Sequence, residues 1–262
     1  MLLLAACGTP GVETRGAAPV PTAGPSTAPV RPTVLLFGDS LSMEAADQFS
    51  AQLSEAYEVE VGAFGGLALC DLAPQIVEAA RSHPPAMILV QFSGNALGPC
   101  MRPEGRPPTP DEILALYRRD ATDLLDQLAP TGVPVALIGS PPRRDLTTSV
   151  GTTTPVFAEV AAAAQARGLP VTFVDAGSSV AAPDGSWTST LPCLMFETEA
   201  MGCIDGRIPV RAADGVHFCP GGYADREGMI GRCEVWSSGA LRFATAMADV
   251  VHRVVPTGAS PP

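Results

Sequence analysis

A serine, a histidine and an aspartate can together attack an ester, and this chain carries them in two short motifs. Ser40 stands in Gly38-Asp39-Ser40-Leu41, directly after the apolar run Val34-Leu35-Leu36-Phe37, and Asp214-Gly215-Val216-His217 lies near the C-terminus. A strand that stops at a glycine and hands over to a serine, followed by a helix-like stretch over 43–57, puts a hydroxyl at the carboxyl edge of a sheet. It also puts that hydroxyl at a helix N-terminus, where oriented N–H groups favour developing negative charge. The hydroxyl needs a base at neutral pH, and the chain has three histidines. His83 precedes Pro84-Pro85 at the amino end of an expected strand, away from Ser40, and His252 falls in a terminal helical pattern beside Arg253. Both read as surface or helix-end residues. His217 differs, because Asp214 can turn back to accept its Nδ1–H and leave Nε2 free for the serine proton. An ordinary Asp-Gly turn would carry the same residues.

Two further segments end at the same expected sheet edge. Phe92-Ser93-Gly94-Asn95-Ala96 follows the strand pattern Ala86-Met87-Ile88-Leu89-Val90. An asparagine there can present its side-chain amide to an oxyanion, or simply close an Asx turn. Val59-Glu60-Val61-Gly62-Ala63-Phe64-Gly65-Gly66 runs into paired glycines, whose backbone can approach a ligand closely or serve as a plain turn.

In this order, Gly-Asp-Ser-Leu, a strand-glycine, Gly94-Asn95 and Asp-x-x-His, the blocks resemble those of the SGNH (GDSL-type) hydrolase family from about residue 33 to the C-terminal helix. The resemblance implies Ser40 as nucleophile and oxyanion N–H donor, Gly66 as a second N–H donor with Gly65 as the substitute, and Asn95 as the side-chain donor. It implies His217 as base and Asp214 as its orienter. The family's third block is usually Gly-x-Asn-Asp, whereas Gly94 and Asn95 are adjacent here and Ala96-Leu97 follow, which puts the loop geometry in question.

The elements that must position these residues alternate. Strand patterns fall at 33–37, 58–62, 86–91, 133–139 and 171–174, with helical patterns at 42–56, 72–82, 110–129, 155–167 and 241–254. Alternation of this kind implies a mainly parallel sheet of about five strands with helices on both faces, and the resemblance to the SGNH hydrolases implies a single-domain three-layer α/β/α sandwich of flavodoxin-like type. The motifs then sit at the carboxyl ends of the first three strands, where open α/β sheets bind ligands. Glu58 and Glu60 alternate with Val59 and Val61, which suits a strand near the sheet edge. The stretch 181–211 has no clear period. Its Trp187, Met195 and Phe196 suit either a pocket for an acyl or leaving group or a small satellite core.

The chain's 262 residues, 46% hydrophobic and 16% charged, fit one domain. A net charge of −11 and the absence of lysine argue against nucleic acid or anionic lipid headgroups as partners, since phosphate contacts need clustered cations. The basic doublets Arg118-Arg119 and Arg143-Arg144 read as solvated surface.

Leu4-Ala5-Ala6-Cys7 resembles a lipobox, so residues 1–7 read as a truncated lipoprotein signal with Cys7 lipidated. The apolar part is shorter than the ~7–15 residues of a signal core, and the true start is expected upstream. Residues 8–31, rich in Pro, Ala, Gly and Thr, read as a stalk, 32–255 as the hydrolase domain and 256–262 as a disordered tail. Seven cysteines less Cys7 leave an even set, suited to disulfides in an oxidising compartment. Spacing favours Cys193 with Cys203 and Cys219 with Cys233, leaving Cys70 with Cys100. No Cys-x-x-Cys occurs and the histidines are scattered, so no metal or cofactor is expected.

The expected activity is hydrolysis of carboxylic esters through an acyl-serine, on O-acyl groups of envelope glycans or lipids, by an exported protein that meets a membrane only through its lipid anchor. The alternatives are an O-acyltransferase, in which a sugar hydroxyl replaces water, and an inactive surface-anchored binding module.

Overall fold

A computed structural model of the chain describes residues 31–102, 105–144, 152–221, 223–224 and 232–256. The expected signal at 1–7 with Cys7, nearly all of the stalk at 8–31 and all but Pro256 of the tail fall outside the described residues.

Five strands, β1 (Thr33–Gly38), β2 (Glu58–Ala63), β3 (Met87–Gln91), β4 (Val135–Ile138) and β5 (Val171–Val174), form one sheet in the order β2-β1-β3-β4-β5. Every pairing is parallel. Strand β2, with its two glutamates, is an edge strand, as its alternation implied. The chain order reverses between β1 and β3, which opens a crevice at their carboxyl ends.

Side chains on β1 alternate between two cores, as the period of a strand requires. Val34 and Leu36 face one core and Leu35 and Phe37 the other. The first core is closed by α1 (Ser40–Leu53) and α5 (Ser238–Val254), the second by α2 (Leu69–Ser82), α3 (Pro110–Leu128) and α4 (Thr154–Ala166). Helix α1 offers Leu41, Ala45, Phe49 and Leu53 to its core, one residue per turn along a single stripe. The three-layer sandwich expected from the sequence is therefore the fold.

Helices α1, α2 and α5 start two or three residues earlier than the apolar periodicity suggested, because polar side chains cap them, whereas α3 and α4 start within one residue of the expected position. Asp39 accepts the Leu41 N–H at 3.1 Å and starts α1 at Ser40, and Asp71 accepts the Ala68 N–H at 2.9 Å at the start of α2. The irregular stretch 181–211 holds a small antiparallel hairpin of β6 (Thr190–Pro192) and β7 (Arg207–Pro209). Leu191 and Ile208 turn inward there, whereas Met195 and Phe196 are exposed. Cys70 is bonded to Cys100, Cys193 to Cys203 and Cys219 to Cys233, the pairs expected from spacing. Among the described residues no helix is long and apolar enough to cross a membrane.

Candidate active site

Strand β1 delivers Ser40 to the crevice as the first residue of α1. The turn is tight enough to require Gly38, since a Cβ there would lie 2.6 Å from the Gln91 carbonyl oxygen and 2.2 Å from Ser42 Oγ. Of the first-turn N–H groups, Leu41 donates to Asp39 Oδ1 and Ser42 to Gln91 Oε1 at 3.2 Å. The Ser40 N–H is left without an acceptor among the described residues, and it points out of the positive end of the helix.

Residues at 214–217 come back to meet it. His217 Nε2 lies 2.9 Å from Ser40 Oγ, and His217 Nδ1 lies 2.6 Å from Asp214 Oδ2. The second oxygen of Asp214 accepts the N–H groups of Val216 at 2.8 Å and His217 at 3.0 Å. Burial pushes the Asp214 carboxyl up, but these hydrogen bonds outweigh it and hold the group below the ordinary aspartate range. Asp214 therefore stays ionised at neutral pH and fixes the tautomer with Nδ1 protonated, which leaves Nε2 to accept from the serine.

The loop carbonyls are held as firmly as its amides. Arg144 donates to the Ala213 carbonyl at 2.9 Å, Trp187 Nε1 to that of Gly215 at 2.9 Å and Arg211 to those of Val216 at 2.8 Å and Pro142 at 2.7 Å. Burial lowers the Arg211 guanidinium to about 10, which still leaves it charged at neutral pH.

On the other side of Ser40, Asn95 and the turn after β2 are joined. Asn95 Nδ2 donates to the Leu67 carbonyl at 3.2 Å and to Asp39 Oδ2 at 3.3 Å, both long for such bonds. Gly66, one residue before Leu67, has a φ of +79°, a conformation that favours glycine. The Asn95 carbonyl is fixed by the Tyr117 hydroxyl at 2.9 Å. Asp39 is fully buried and accepts from Leu41, Asn95 and both the N–H and the hydroxyl of Ser93, the last two at 2.6 Å. Arg143 closes the network by donating to the Ser93 carbonyl at 2.9 Å and to its hydroxyl at 2.8 Å.

Ser40, His217, Asp214 and Asn95 thus share one edge of the sheet, tied together through Asp39 and the 214–217 loop. His83 ends α2 at the exposed amino side of β3, and His252 packs on Tyr57 with ring centroids 5.6 Å apart, so neither faces Ser40. Arg143 is a correction to the reading of both arginine doublets as solvated surface, because it is half-buried and bonded to Ser93. Sequence reasoning gave no role to Asp39 or Glu44. An aspartate immediately before a helix was a readable capping signal. For Glu44, a carboxylate on the buried stripe of α1, only its position one turn after Ser40 gave a hint. Cys70, Asp71 and Cys100 cluster closely enough to hold a cation, but both sulfurs are committed to a disulfide.

Residues 33–225 match the model of the family described as "Protein of unknown function (DUF459)". The chain belongs to the DUF459 family. No curated protein sequence matches this DUF459 member. Its fold is shared with a lipase/acylhydrolase from Enterococcus faecalis, at a TM-score of 0.53 and 15% identity over 88% of this chain and 100% of the other. It is shared also with a family 3 carbohydrate esterase from Clostridium thermocellum, at a TM-score of 0.51 and 12% identity over 87% of this chain and 100% of the other. The DUF459 domain has the SGNH hydrolase fold.

Proposed function

We propose that this protein is a serine esterase that cleaves carboxylic esters through an acyl-serine intermediate. The observation that carries the reading is the hydrogen-bonded line from Asp214 through His217 to Ser40, with separations of 2.6 and 2.9 Å at a helix N-terminus. Ser40 Oγ attacks the ester carbonyl while His217 Nε2 takes its proton, and Asp214 stabilises the imidazolium that forms. The Ser40 N–H, the Gly66 N–H and an N–H of Asn95 receive the oxyanion. The Asn95 amide is engaged at long distance in the resting site, and such bonds commonly reorganise around a substrate. His217 returns the proton to the departing alcohol, the alcohol leaves, and water attacks the acyl-serine by the same base to release the acid.

The His217 side chain is 30% exposed and that of Asp214 50%, so one flank of the site is open to solvent. An open flank suits an acyl group carried on a bulky or polymeric alcohol. Three disulfides suit an oxidising compartment, and together with the Cys7 motif they support an exported, envelope-associated esterase acting on O-acylated glycans or lipids. The reaction classes named for the two structural neighbours, acyl hydrolysis and carbohydrate ester cleavage, are of this kind. The test is hydrolysis of p-nitrophenyl acetate and longer acyl esters, with and without a sugar acceptor. Release of free acid in the absence of acceptor supports the esterase, acyl transfer only in its presence supports the acyltransferase, and no turnover by a protein that also resists phosphonate labelling contradicts both.

A further inference from the structure

Glu44 is one turn beyond Ser40 on α1, on the helix face that is buried. Its side chain is nearly inaccessible, at 3% exposure for the residue. Oε2 accepts the backbone N–H of Phe218 at 2.6 Å, the residue directly after His217, and the Cys219 N–H also favours the ionised form. Oε1 is buried with no hydrogen-bond partner among the described residues. A buried carboxylate with one oxygen unpartnered is costly, and α1 could have filled this position with an apolar side chain like its neighbours Leu41, Ala45 and Phe49.

The groups that face Glu44 are those of the loop opposite. His217 and Arg211 favour its ionised form or are favoured by it, whereas Asp214 opposes it. Arg211 lies over the Phe218 ring at 5.2 Å, and the Phe218 carbonyl is held by the Ser237 hydroxyl at 2.8 Å at the start of α5. Phe218 is thus gripped on both of its backbone groups, by α1 through Glu44 and by α5 through Ser237. Ser40 and Glu44 leave the same rigid helix and meet His217 and Phe218, two consecutive residues of one loop. The separation between His217 Nε2 and Ser40 Oγ is therefore set across two parallel struts.

We infer that Glu44 is a positioning residue for the base, anchoring the His217 loop to the helix that carries Ser40 and adding a second carboxylate beside the imidazolium formed in turnover. This rests on the esterase reading above. The same carboxylate costs stability when ionised, so it trades stability for a set nucleophile–base distance.

The experiment compares the full-length wild type with Glu44→Gln, Glu44→Leu and Ser40→Ala on p-nitrophenyl acetate, with the melting temperature and the rate of labelling by a fluorophosphonate measured alongside. Glu44→Gln keeps an oxygen acceptor for Phe218 without the charge, and kcat is expected to fall about 3- to 10-fold at little-changed KM. Glu44→Leu loses both, and a fall of about 100-fold is expected, the scale of a displacement of roughly 1 Å at a reacting pair. Labelling of Ser40 should slow in the same order, while Glu44→Gln, which keeps an acceptor for the Phe218 N–H, melts no lower than the wild type at neutral pH. A folded Glu44→Leu with wild-type kcat and labelling rate, or one altered in KM alone, would overturn the inference. Should Glu44→Leu not fold, Glu44→Gln decides by the same two rates. Loss of activity in Ser40→Ala together with wild-type rates in the Glu44 variants overturns this inference and leaves the esterase reading standing, whereas retained activity in Ser40→Ala overturns the reading itself.

Discussion

Asp39 Oδ2 and Asn95 Nδ2 meet at 3.3 Å across 56 residues of sequence, beside the residue that begins α1. The same carboxylate oxygen takes both Ser93 donors at 2.6 Å. Burial pushes the Asp39 carboxyl up, and the hydrogen bonds from Ser93 and Leu41 counter it. Asp39 is thus the point at which the loops after β1 and β3 are fixed to each other, and Asn95 takes its direction from that point.

Asn95→Ala should lower kcat by ~10²–10³ at little-changed KM, the usual cost of losing one oxyanion donor. If Asp39 acts through Asn95, then Asp39→Asn in the Asn95→Ala background should add much less than it does alone, since residues sharing one network are not additive. Steady-state kinetics on the two single variants and the double variant check this. A rise in KM alone for Asn95→Ala would make Asn95 a substrate-positioning residue.

The two carboxylates that flank His217 should respond oppositely to pH. The Asp214 value lies below its ordinary 3.8 in the folded protein, so the folded state releases that proton more readily. Its contribution to stability is present above 3.8 and is lost as pH falls through the folded value. The Glu44 value lies above its ordinary 4.5, chiefly through burial, so the folded state holds a proton that the unfolded chain gives up. Its contribution declines as pH rises from 4.5 through the folded value. Glu44→Gln should therefore raise the melting temperature relative to wild type by more at about pH 7 than at about pH 4, and Asp214→Asn should lower it by more at about pH 7 than at about pH 2.5. Differential scanning calorimetry across that range reads both signs.

Two disulfides lie next to the site. Cys219 is two residues from His217, and Cys70–Cys100 joins the start of α2, after the Gly66 turn, to the segment after Asn95. Mild reduction should therefore lower esterase activity before the far-ultraviolet circular dichroism changes. Loss of one native disulfide costs ~2–5 kcal/mol in a small secreted domain, and the two large cores here can hold the fold without one. Free thiols at Cys70, Cys100, Cys219 and Cys233 in the oxidised protein would contradict both the pairing and the inferred compartment.

The sheet was legible because buried parallel strands are short apolar runs and the helices between them are amphipathic, so strand positions fell within two residues. Helix starts were less so, since Asp39 and Asp71 extend α1 and α2 beyond their apolar stripes by capping. At the site, Ser40, His217, Asp214 and Asn95 each stand in a local motif that a sequence displays. The groups that hold them do not. Glu44 acts on Phe218 from 174 residues away and Arg143 on Ser93 from 50, and no spacing rule links partners brought together only by the sheet order. The hairpin of β6 and β7 was hidden for a related reason, its strands being three residues each, too short to show a period.

The proposed chemistry stands or falls on Ser40. Treating the folded protein with a fluorophosphonate, digesting it and locating the adduct by mass spectrometry should place the label on Ser40. Ser40→Ala should then lose on the order of 10³-fold or more in ester turnover with an unchanged melting temperature. An adduct on another residue, or full turnover by Ser40→Ala, would contradict the assignment.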